Sequence, residues 1–185
     1  LSSVAMSSLN DRDCVLTAGA APRAQLKLWD LRSASKVAAA NFRHPFSGAA
    51  YTTLSPNPTH PHQVLAGTTD GEVVWFDLRR VQEQGSGNAD VVACLKAHEG
   101  DVLALRHHPV APQYFFSAGA DGALLLIEGD KGNCYAERLG NCGVGVHALA
   151  VHTESNSIVG ASRNEQLLVV QGVEQTAAGS RYYNM

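Results

Sequence analysis

The sequence predicts an all-β fold made of repeated antiparallel sheets, because two motifs recur at the spacing of one sheet. Trp-Asp-Leu-Arg at 29–32 returns as Phe-Asp-Leu-Arg at 76–79, and Ala-Gly-Thr-Thr-Asp-Gly at 66–71 returns as Ser-Ala-Gly-Ala-Asp-Gly at 117–122. Repeats of about 40–50 residues that hold a strand ending near Gly, an Asp-Gly turn and an aromatic-Asp strand end indicate stacked β-blades.

Alternating or continuous apolar runs mark the strands of each repeat. The first unit is predicted to have strands at 4–7, 14–19 and 25–30, with a weak outer strand at 36–39. The next three units are predicted to have strands at 49–54, 63–67, 72–77, 91–95, 102–106, 114–119, 123–128, 146–151, 157–161 and 166–170. No convincing helix is predicted.

The turns between these strands set the blade boundaries. Asp70-Gly71 and Asp121-Gly122 tolerate the positive φ that a tight hairpin needs, whereas Asn164-Glu165 stands at that place in a degenerate fourth unit. A hairpin containing Pro22 and a flexible insertion at 82–90 lengthen two connections. We therefore predict blades at about 1–43, 44–95, 96–141 and 142–174, followed by an irregular tail at 175–185.

Length and composition narrow the function classes. The 185 residues suffice for about four blades of roughly 45 residues, whereas seven blades need about 300. Because the chain opens at Leu1 rather than Met, we expect it to be part of an incomplete, seven-bladed propeller whose first blades precede Leu1. An open row of blades exposes two apolar faces, so we expect poor solubility of the isolated chain.

The charge pattern argues against nucleic acid and membrane partners. The net charge is -3, and Arg79-Arg80 is the densest basic pair, although phosphate binding needs clustered Lys and Arg. No stretch approaches 18 apolar residues, so we expect no membrane insertion. The four cysteines are expected to be reduced thiols of a cytosolic or nuclear protein.

The ordered motifs resemble those of the WD40 family of β-propellers, in which a His, a Ser or Thr, an Asp and a strand Trp can form a hydrogen-bonded staple. His98, Ser117 and Asp121 match three of those positions, but Ile127 stands where the Trp is expected. In the second unit Phe76 and Ala66 replace the Trp and the Ser, with His44 as a possible remnant. The first unit has Trp29 without a preceding His. We assign the structural blade motif to Trp29, Asp30, Phe76, Asp77, His98, Ser117 and Asp121.

A longer string is similar to the C-terminal half of a family of small WD40 nucleoporins in the Y-shaped outer-ring complex of the nuclear pore. The similarity covers roughly 4–170 and is carried by the segments 15–17, 25–30, 70–79, 95–99 and 107–109. The Lys-Ala-His-Glu turn at 96–99 and the His-His-Pro stop at 107–109 are its most specific part. The Gly-rich insertion, the Pro22 hairpin and the polar tail depart from it.

This resemblance implies a non-enzymatic scaffold at the nuclear envelope, within the nuclear pore complex. It further implies other nucleoporins of the Y complex as partners, especially an α-solenoid nucleoporin of the short arm. The implied role is support of pore assembly and, through the pore, of protein and messenger RNA transport. No cofactor, small-molecule substrate, direct nucleic acid contact or membrane insertion is expected.

Other chemistries find weaker support in the residues. Cys134 and Cys142, with His147 nearby, lack the paired spacing of a structural zinc site, and the Gly-rich run at 140–145 lacks the Lys-Ser/Thr of a phosphate-binding loop. A propeller hydrolase remains a distant alternative. The nearer alternative is a substrate receptor of a cullin-type ubiquitin ligase, because Trp-Asp-X-Arg strand ends resemble those of such receptors. Arg32 and Arg79 would then contact the adaptor, whereas the simpler interpretation pairs each Arg with a local Asp or carbonyl.

Overall fold

Four antiparallel sheets follow one another along the chain in the computed structural model, which describes residues 2–9, 12–19, 26–34, 37–42, 47–79, 90–130 and 133–173. Sheet 1 contains β1 (Ser3–Leu9), β2 (Arg12–Ala18), β3 (Leu26–Asp30) and β4 (Ala40–Phe42). Sheet 2 contains β5 (Tyr51–Pro56), β6 (Gln63–Thr68), β7 (Glu72–Asp77) and β8 (Asp90–Lys96). Sheet 3 contains β9 (Val102–His107), β10 (Tyr114–Gly119), β11 (Ala123–Asp130) and β12 (Asn133–Asn141). Sheet 4 contains β13 (Val146–His152), β14 (Ser157–Ser162) and β15 (Leu167–Val170).

Each sheet is an antiparallel meander in which neighbouring strands pair in chain order. The first strands of the four sheets, β1, β5, β9 and β13, pack side by side in sequence. In the described ranges, β1 and β13 do not pack against each other to a similar extent, so the row of sheets has two ends. This arrangement confirms the predicted all-β class with four blade-like sheets.

Three apolar layers hold the row together, one between each pair of neighbouring sheets. Phe76 anchors the layer between sheets 1 and 2, where its ring centroid lies 6.1 Å from that of Phe42 and 5.8 Å from that of Tyr51. Trp75 and Phe115 meet edge to face at 5.5 Å between sheets 2 and 3. The third layer, between sheets 3 and 4, is built from Phe116, Leu124, Leu126, Leu149 and Ile158, among others. Edge-to-face aromatic pairs of this kind add about 0.5–1.5 kcal/mol beyond burial.

The Asp-Gly hairpins adopt the positive φ that their residues favour. Gly71 has φ 76° and Gly122 has φ 79°. A Cβ atom on Gly71 would lie 2.0 Å from the carbonyl oxygen of His98, because the chain passes directly over the turn on its way to the next sheet. The backbone N–H groups of Ala97 and His98 donate to the Gly71 carbonyl at 2.9 and 3.0 Å, which ties the hairpin of sheet 2 to the connection that leads to sheet 3.

Two details of the strand prediction were wrong. The outer strand of sheet 1 lies at Ala40–Phe42 rather than at 36–39. The outer strand β12 was not predicted. It is an edge strand, and polar and apolar residues do not alternate regularly along Asn133–Asn141. Four further predictions fall on residues that the structure does not describe. They concern the Pro22 hairpin, His44, residues 82–89 of the predicted insertion at 82–90, and the tail at 175–185.

Candidate interaction surfaces

His98 lies at the centre of a buried polar cluster in sheet 3. Its Nε2 lies 2.8 Å from the Ser117 hydroxyl, and its Nδ1 lies 3.0 Å from the nearer carboxylate oxygen of Asp121. Asp121 also accepts from the backbone N–H groups of Glu99 and Ala123 at 3.1 and 3.0 Å. Since a carboxylate only accepts, Nδ1 carries the proton and Nε2 accepts from the Ser117 hydroxyl. The cluster therefore joins the β8–β9 connection, strand β10 and the hairpin turn.

Burial and hydrogen bonding shift the protonation of this cluster in predictable directions. Burial lowers the pKa of His98, and the neighbouring Asp121 opposes that effect without reversing it. Burial alone would raise the pKa of Asp121, but the N–H donors of Ala123 and Glu99, together with His98, lower it. A neutral imidazole beside an ionised carboxylate is therefore the state at neutral pH.

The same three residue types form the catalytic triad of hydrolases, but here their placement fits a structural role. Ser117 is 0% exposed and His98 is 2% exposed, so a substrate carbonyl has no path to the Ser117 hydroxyl. The cluster also requires glycine at position 119, because a Cβ atom on Gly119 would lie 2.4 Å from Nδ1 of His98. The Gly at this strand end thus makes room for the imidazole.

Sheet 1 carries the complementary half of such a staple. The indole N–H of Trp29 donates to the Thr17 hydroxyl oxygen at 2.9 Å, and the Lys27 ammonium lies 5.9 Å from the ring centroid. The corresponding position in sheet 2 holds Phe76, which is fully buried and has no polar group. The described residues therefore divide the polar motif between sheets 1 and 3, while sheet 2 depends on aromatic packing.

The two Asp-Leu-Arg strand ends form local turns. The carboxylate of Asp30 accepts from the backbone N–H of Arg32 at 2.9 Å, and the Arg32 Nε lies 3.9 Å away. The carboxylate of Asp77 accepts from both the backbone N–H and the guanidinium of Arg79. Its Oδ1 lies 3.0 Å from the backbone nitrogen and 3.0 Å from Nε of Arg79. Burial alone would raise the pKa of Asp77, but the hydrogen bonds from Arg79 outweigh this effect and lower the pKa. The two Arg side chains are 60% and 61% exposed, so both are accessible despite these pairings.

A second buried polar link, between Ser55 and His107, was not predicted. Nδ1 of His107 lies 3.0 Å from the Ser55 hydroxyl, which also accepts from the His107 backbone N–H at 3.1 Å. Burial lowers the pKa of His107 to about 4. Nε2 of His107 and the indole N–H of Trp75 have no hydrogen-bond partner among the described residues. The His-His-Pro run signalled only a strand end, since nothing local in the sequence connects positions 55 and 107.

The remaining histidines and cysteines do not assemble a metal site in the described part of the chain. His108 accepts instead from the backbone N–H groups of Val110 and Ala111, which stabilises the turn after β9. In the same ranges we find no helix with the length and hydropathy needed to cross a bilayer.

Each end of the row presents a pair of exposed apolar side chains on one strand. Val4 and Met6 on β1 are 56% and 66% exposed, and Leu167 and Val169 on β15 are 68% and 52% exposed. Counted from the hairpin residue that has positive φ, the positions equivalent to the β15 pair are Val73 and Trp75 in sheet 2 and Leu124 and Leu126 in sheet 3. All four of these are at most 8% exposed, because the following sheet covers them. The end sheets therefore present surfaces that elsewhere form sheet-to-sheet interfaces.

Comparison with known proteins agrees with this arrangement. The chain superimposes on the crystal structure of the computationally designed Ika4 protein with a TM-score of 0.67 and 19% identity, covering 92% of this chain and 89% of that chain. It is 29% identical over 100 residues to nucleoporin Nup43 of Homo sapiens, and to the mouse protein at the same level. The fold is that of WD40-type β-propeller blades.

A second group of relatives extends the WD40 similarity beyond nucleoporins. The chain is 29% identical over 128 residues to protein transport protein SEC31 of Phaeosphaeria nodorum. These matches cover 54% of this chain for Nup43 and 64% for SEC31, and the matched parts amount to 24% and 10% of those proteins. No family model matches the sequence. The predicted resemblance to WD40 nucleoporins is thus confirmed, and the relatives are named as a nucleoporin and a protein transport protein.

Proposed function

We propose that this WD40 array is a non-enzymatic scaffold of a large membrane-associated assembly, and specifically of the outer-ring complex of the nuclear pore. The observation that carries the proposal is the 29% identity to nucleoporin Nup43 across 100 residues. Ser117 and His98, the polar residues of a type found in catalytic sites, are buried inside sheet 3 and hydrogen-bonded to each other.

The proposed setting is the nuclear envelope, with other nucleoporins of the Y complex as partners and an α-solenoid nucleoporin of the short arm as the principal contact. Pore assembly and the passage of protein and messenger RNA would depend on that contact. The exposed end surfaces and strand ends favour protein partners, because apolar faces and mixed charge suit protein contacts rather than phosphate binding.

The test is isolation of the complete protein that contains this chain, with an epitope tag, from gently lysed cells, followed by identification of co-purified proteins. Co-purification with outer-ring nucleoporins and a nuclear-rim signal in fluorescence microscopy are expected. Recovery of vesicle-coat proteins with a punctate cytoplasmic signal would replace the nuclear pore by the vesicle coat, the setting suggested by the SEC31 similarity.

The ubiquitin-ligase alternative is tested by the strand-end arginines. Both Arg side chains are solvent-accessible, which an adaptor contact requires, but Arg79 is already held by Asp77. A double variant with Arg32→Ala and Arg79→Ala should keep the scaffold partners. Loss of a ligase adaptor from the same purification, with the other partners unchanged, would favour the ligase function.

A further inference from the structure

The loops that follow the first strands of sheets 2, 3 and 4 share one hydrogen-bonding arrangement. A side-chain acceptor at the end of the strand receives backbone N–H groups from residues two or three positions further on. In sheet 2 the acceptor is Oδ1 of Asn57, which receives the N–H groups of Thr59 and His60, both at 3.0 Å. In sheet 4 it is Nδ1 of His152, which receives the Ser155 N–H at 3.3 Å. The loop is thus closed by an amide in one sheet and by an imidazole in another.

In sheet 3 the acceptor is a buried imidazole. Nδ1 of His108 receives the N–H groups of Val110 and Ala111 at 3.3 and 3.0 Å. Backbone N–H groups only donate, so Nδ1 holds a lone pair and the proton of the neutral ring is on Nε2. His108 is 4% exposed, and its ring centroid lies 6.1 Å from that of Phe116 in the layer between sheets 3 and 4. The β9–β10 loop (residues 108–113) therefore stays closed only while this imidazole is neutral.

The β5–β6 loop (residues 57–62) has the same backbone arrangement with an acceptor that does not titrate. The N–H of Asn57 donates to the Gln63 carbonyl at 2.9 Å. The N–H of His108 donates to the carbonyl of Tyr114, also six residues further on, at 2.8 Å. Asn57 is 4% exposed, like His108, and a proline follows each of them. The two loops therefore differ mainly in whether acid can remove their acceptor.

Ionisable groups lie around His108 on its own sheet and on the next one. The register of sheet 3 places Tyr114 and then Glu128 beside it, and the Tyr114 hydroxyl donates to the Glu128 carboxylate at 3.2 Å. Arg106, two residues earlier on the same face of β9, is exposed. Sheet 4 contributes apolar side chains to the layer on this face, and His152 follows at the end of β13. Burial lowers the pKa of His108, and none of these groups contributes to the shift.

The β9–β10 loop forms part of the protein surface. Val110 in this loop is 73% exposed. The N–H of Gly129 donates to the Gln113 carbonyl at 3.0 Å, which fixes the last residue of the loop to strand β11. In sheet 2 the N–H of Leu78 donates to the His62 carbonyl at 2.7 Å, so the equivalent loop adjoins a strand-end Asp-Leu-Arg turn. A change in the β9–β10 loop therefore changes the surface at the end of the sheets where these turns lie.

We propose that the β9–β10 loop is an acid-responsive element that opens when a proton from solvent binds Nδ1 of His108. Protonation occupies the lone pair that accepts from Val110 and Ala111, so both N–H groups lose their partner. A charged imidazolium is also costly inside an apolar layer, and it moves to solvent together with the loop. The inference goes beyond the proposed scaffold role and does not depend on which large complex contains the chain.

The test is amide hydrogen exchange of the complete protein that contains this chain, measured from pH 7.5 to pH 5. Each rate is expressed as a protection factor, which is the intrinsic rate at that pH divided by the measured rate. The imidazole of the open loop titrates near 6.5 and that of the closed loop lower, so the closed form loses stability as the pH falls below 6.5. The protection factors of Val110 and Ala111 should then fall by up to about tenfold per pH unit. Those of Thr59 and His60 should stay constant, and constant values at Val110 and Ala111 would overturn the proposal.

His108→Asn is the matched control, because Asn57 closes the β5–β6 loop without titrating. In this variant the protection factors of Val110 and Ala111 should be the same at pH 7.5 and pH 5. A decline like that of the unaltered protein would assign the acid response to another group and contradict the proposal. Phe116, at the centre of β10, reports opening of the whole sheet. An equal decline at Phe116 would show unfolding of sheet 3 instead of opening of the loop, and would also contradict the proposal.

Nitrogen-15 NMR of the His108 ring provides a test that needs no folded variant. At pH 7.5 only Nε2 should carry a proton, and protonation of Nδ1 should coincide with the loss of protection at Val110 and Ala111. A neutral ring with its proton on Nδ1 would overturn the proposal. So would a second proton on the ring that leaves both amides protected.

Discussion

Sheets 3 and 4 are neighbours of the same design, but one is complete and the other is reduced. Sheet 3 has four strands, a glycine in its hairpin, a buried polar staple and apolar neighbours on both sides. Sheet 4 has three described strands, Glu165 in its hairpin and an uncovered outer face. This difference indicates that a blade is stabilised mainly by packing against both neighbouring sheets. The staple and the turn contribute less to its free energy of unfolding.

The largest expected effect compares core positions with their exposed counterparts. Phe116 is 1% exposed between the two sheets, so Phe116→Ala should reduce the free energy of unfolding by about 3–5 kcal/mol. Val169→Ala, on the uncovered face, should change it by less than about 0.5 kcal/mol. Urea denaturation followed by tryptophan fluorescence measures both, and similar losses would show that the outer face of sheet 4 is covered.

The next effect concerns acid and the inter-sheet link at His107. The unfolded imidazole titrates near 6.5 and the folded one at about 4, so the unfolded state binds the proton more readily. Stability is therefore full above about pH 6.5, falls as the pH drops, and at pH 4 has decreased by about 3 kcal/mol from this group.

His107→Asn should remove that part of the pH dependence, because the amide can replace Nδ1 as the partner of Ser55 but does not titrate. The comparison is the unfolding free energy of both proteins measured from pH 7.5 to pH 4. Burial also lowers the pKa values of His62, His98 and His108, so the variant should retain a shallower decline. Parallel curves for the two proteins would refute the role of His107.

A smaller effect is expected from the staple itself. His98→Ala leaves the buried Ser117 hydroxyl without its acceptor and should cost about 1–3 kcal/mol. His152 in sheet 4 is exposed and bonds only locally to Ser155, so His152→Ala should cost less than about 0.5 kcal/mol. Thermal unfolding of the two variants tests this contrast, which would fail if both had the same midpoint.

The same two sheets show what the sequence could and could not predict. Turn chemistry is local, so the repeated motifs at 66–71 and 117–122 located sheets 2 and 3. The polar edge strand β12 lacks such a signature and was missed. The contact between Ser55 and His107 joins residues of different sheets, and no local pattern could reveal it.

The smallest effect is a gain, and it lies in the hairpin of sheet 4. Gly71, Gly122 and Glu165 occupy the same place in their turns, since each N–H donates to the carbonyl three residues earlier, at 3.3, 3.1 and 3.2 Å. All three have positive φ, which is 63° for Glu165. A residue with a Cβ pays about 1 kcal/mol for this conformation, so Glu165→Gly should raise the unfolding free energy by about 0.5–1 kcal/mol.

The reverse exchange in sheet 3 supplies the control for that gain. A Cβ atom on Gly122 would lie 2.8 Å from the backbone nitrogen of Val144, so Gly122→Glu meets steric overlap as well as backbone strain. It should therefore destabilise the chain by more than Glu165→Gly stabilises it. Chemical denaturation of both variants measures these two changes in the free energy of unfolding. If Glu165→Gly were neutral or destabilising, the side chain of Glu165 would have to supply a favourable interaction that offsets the strain of its turn.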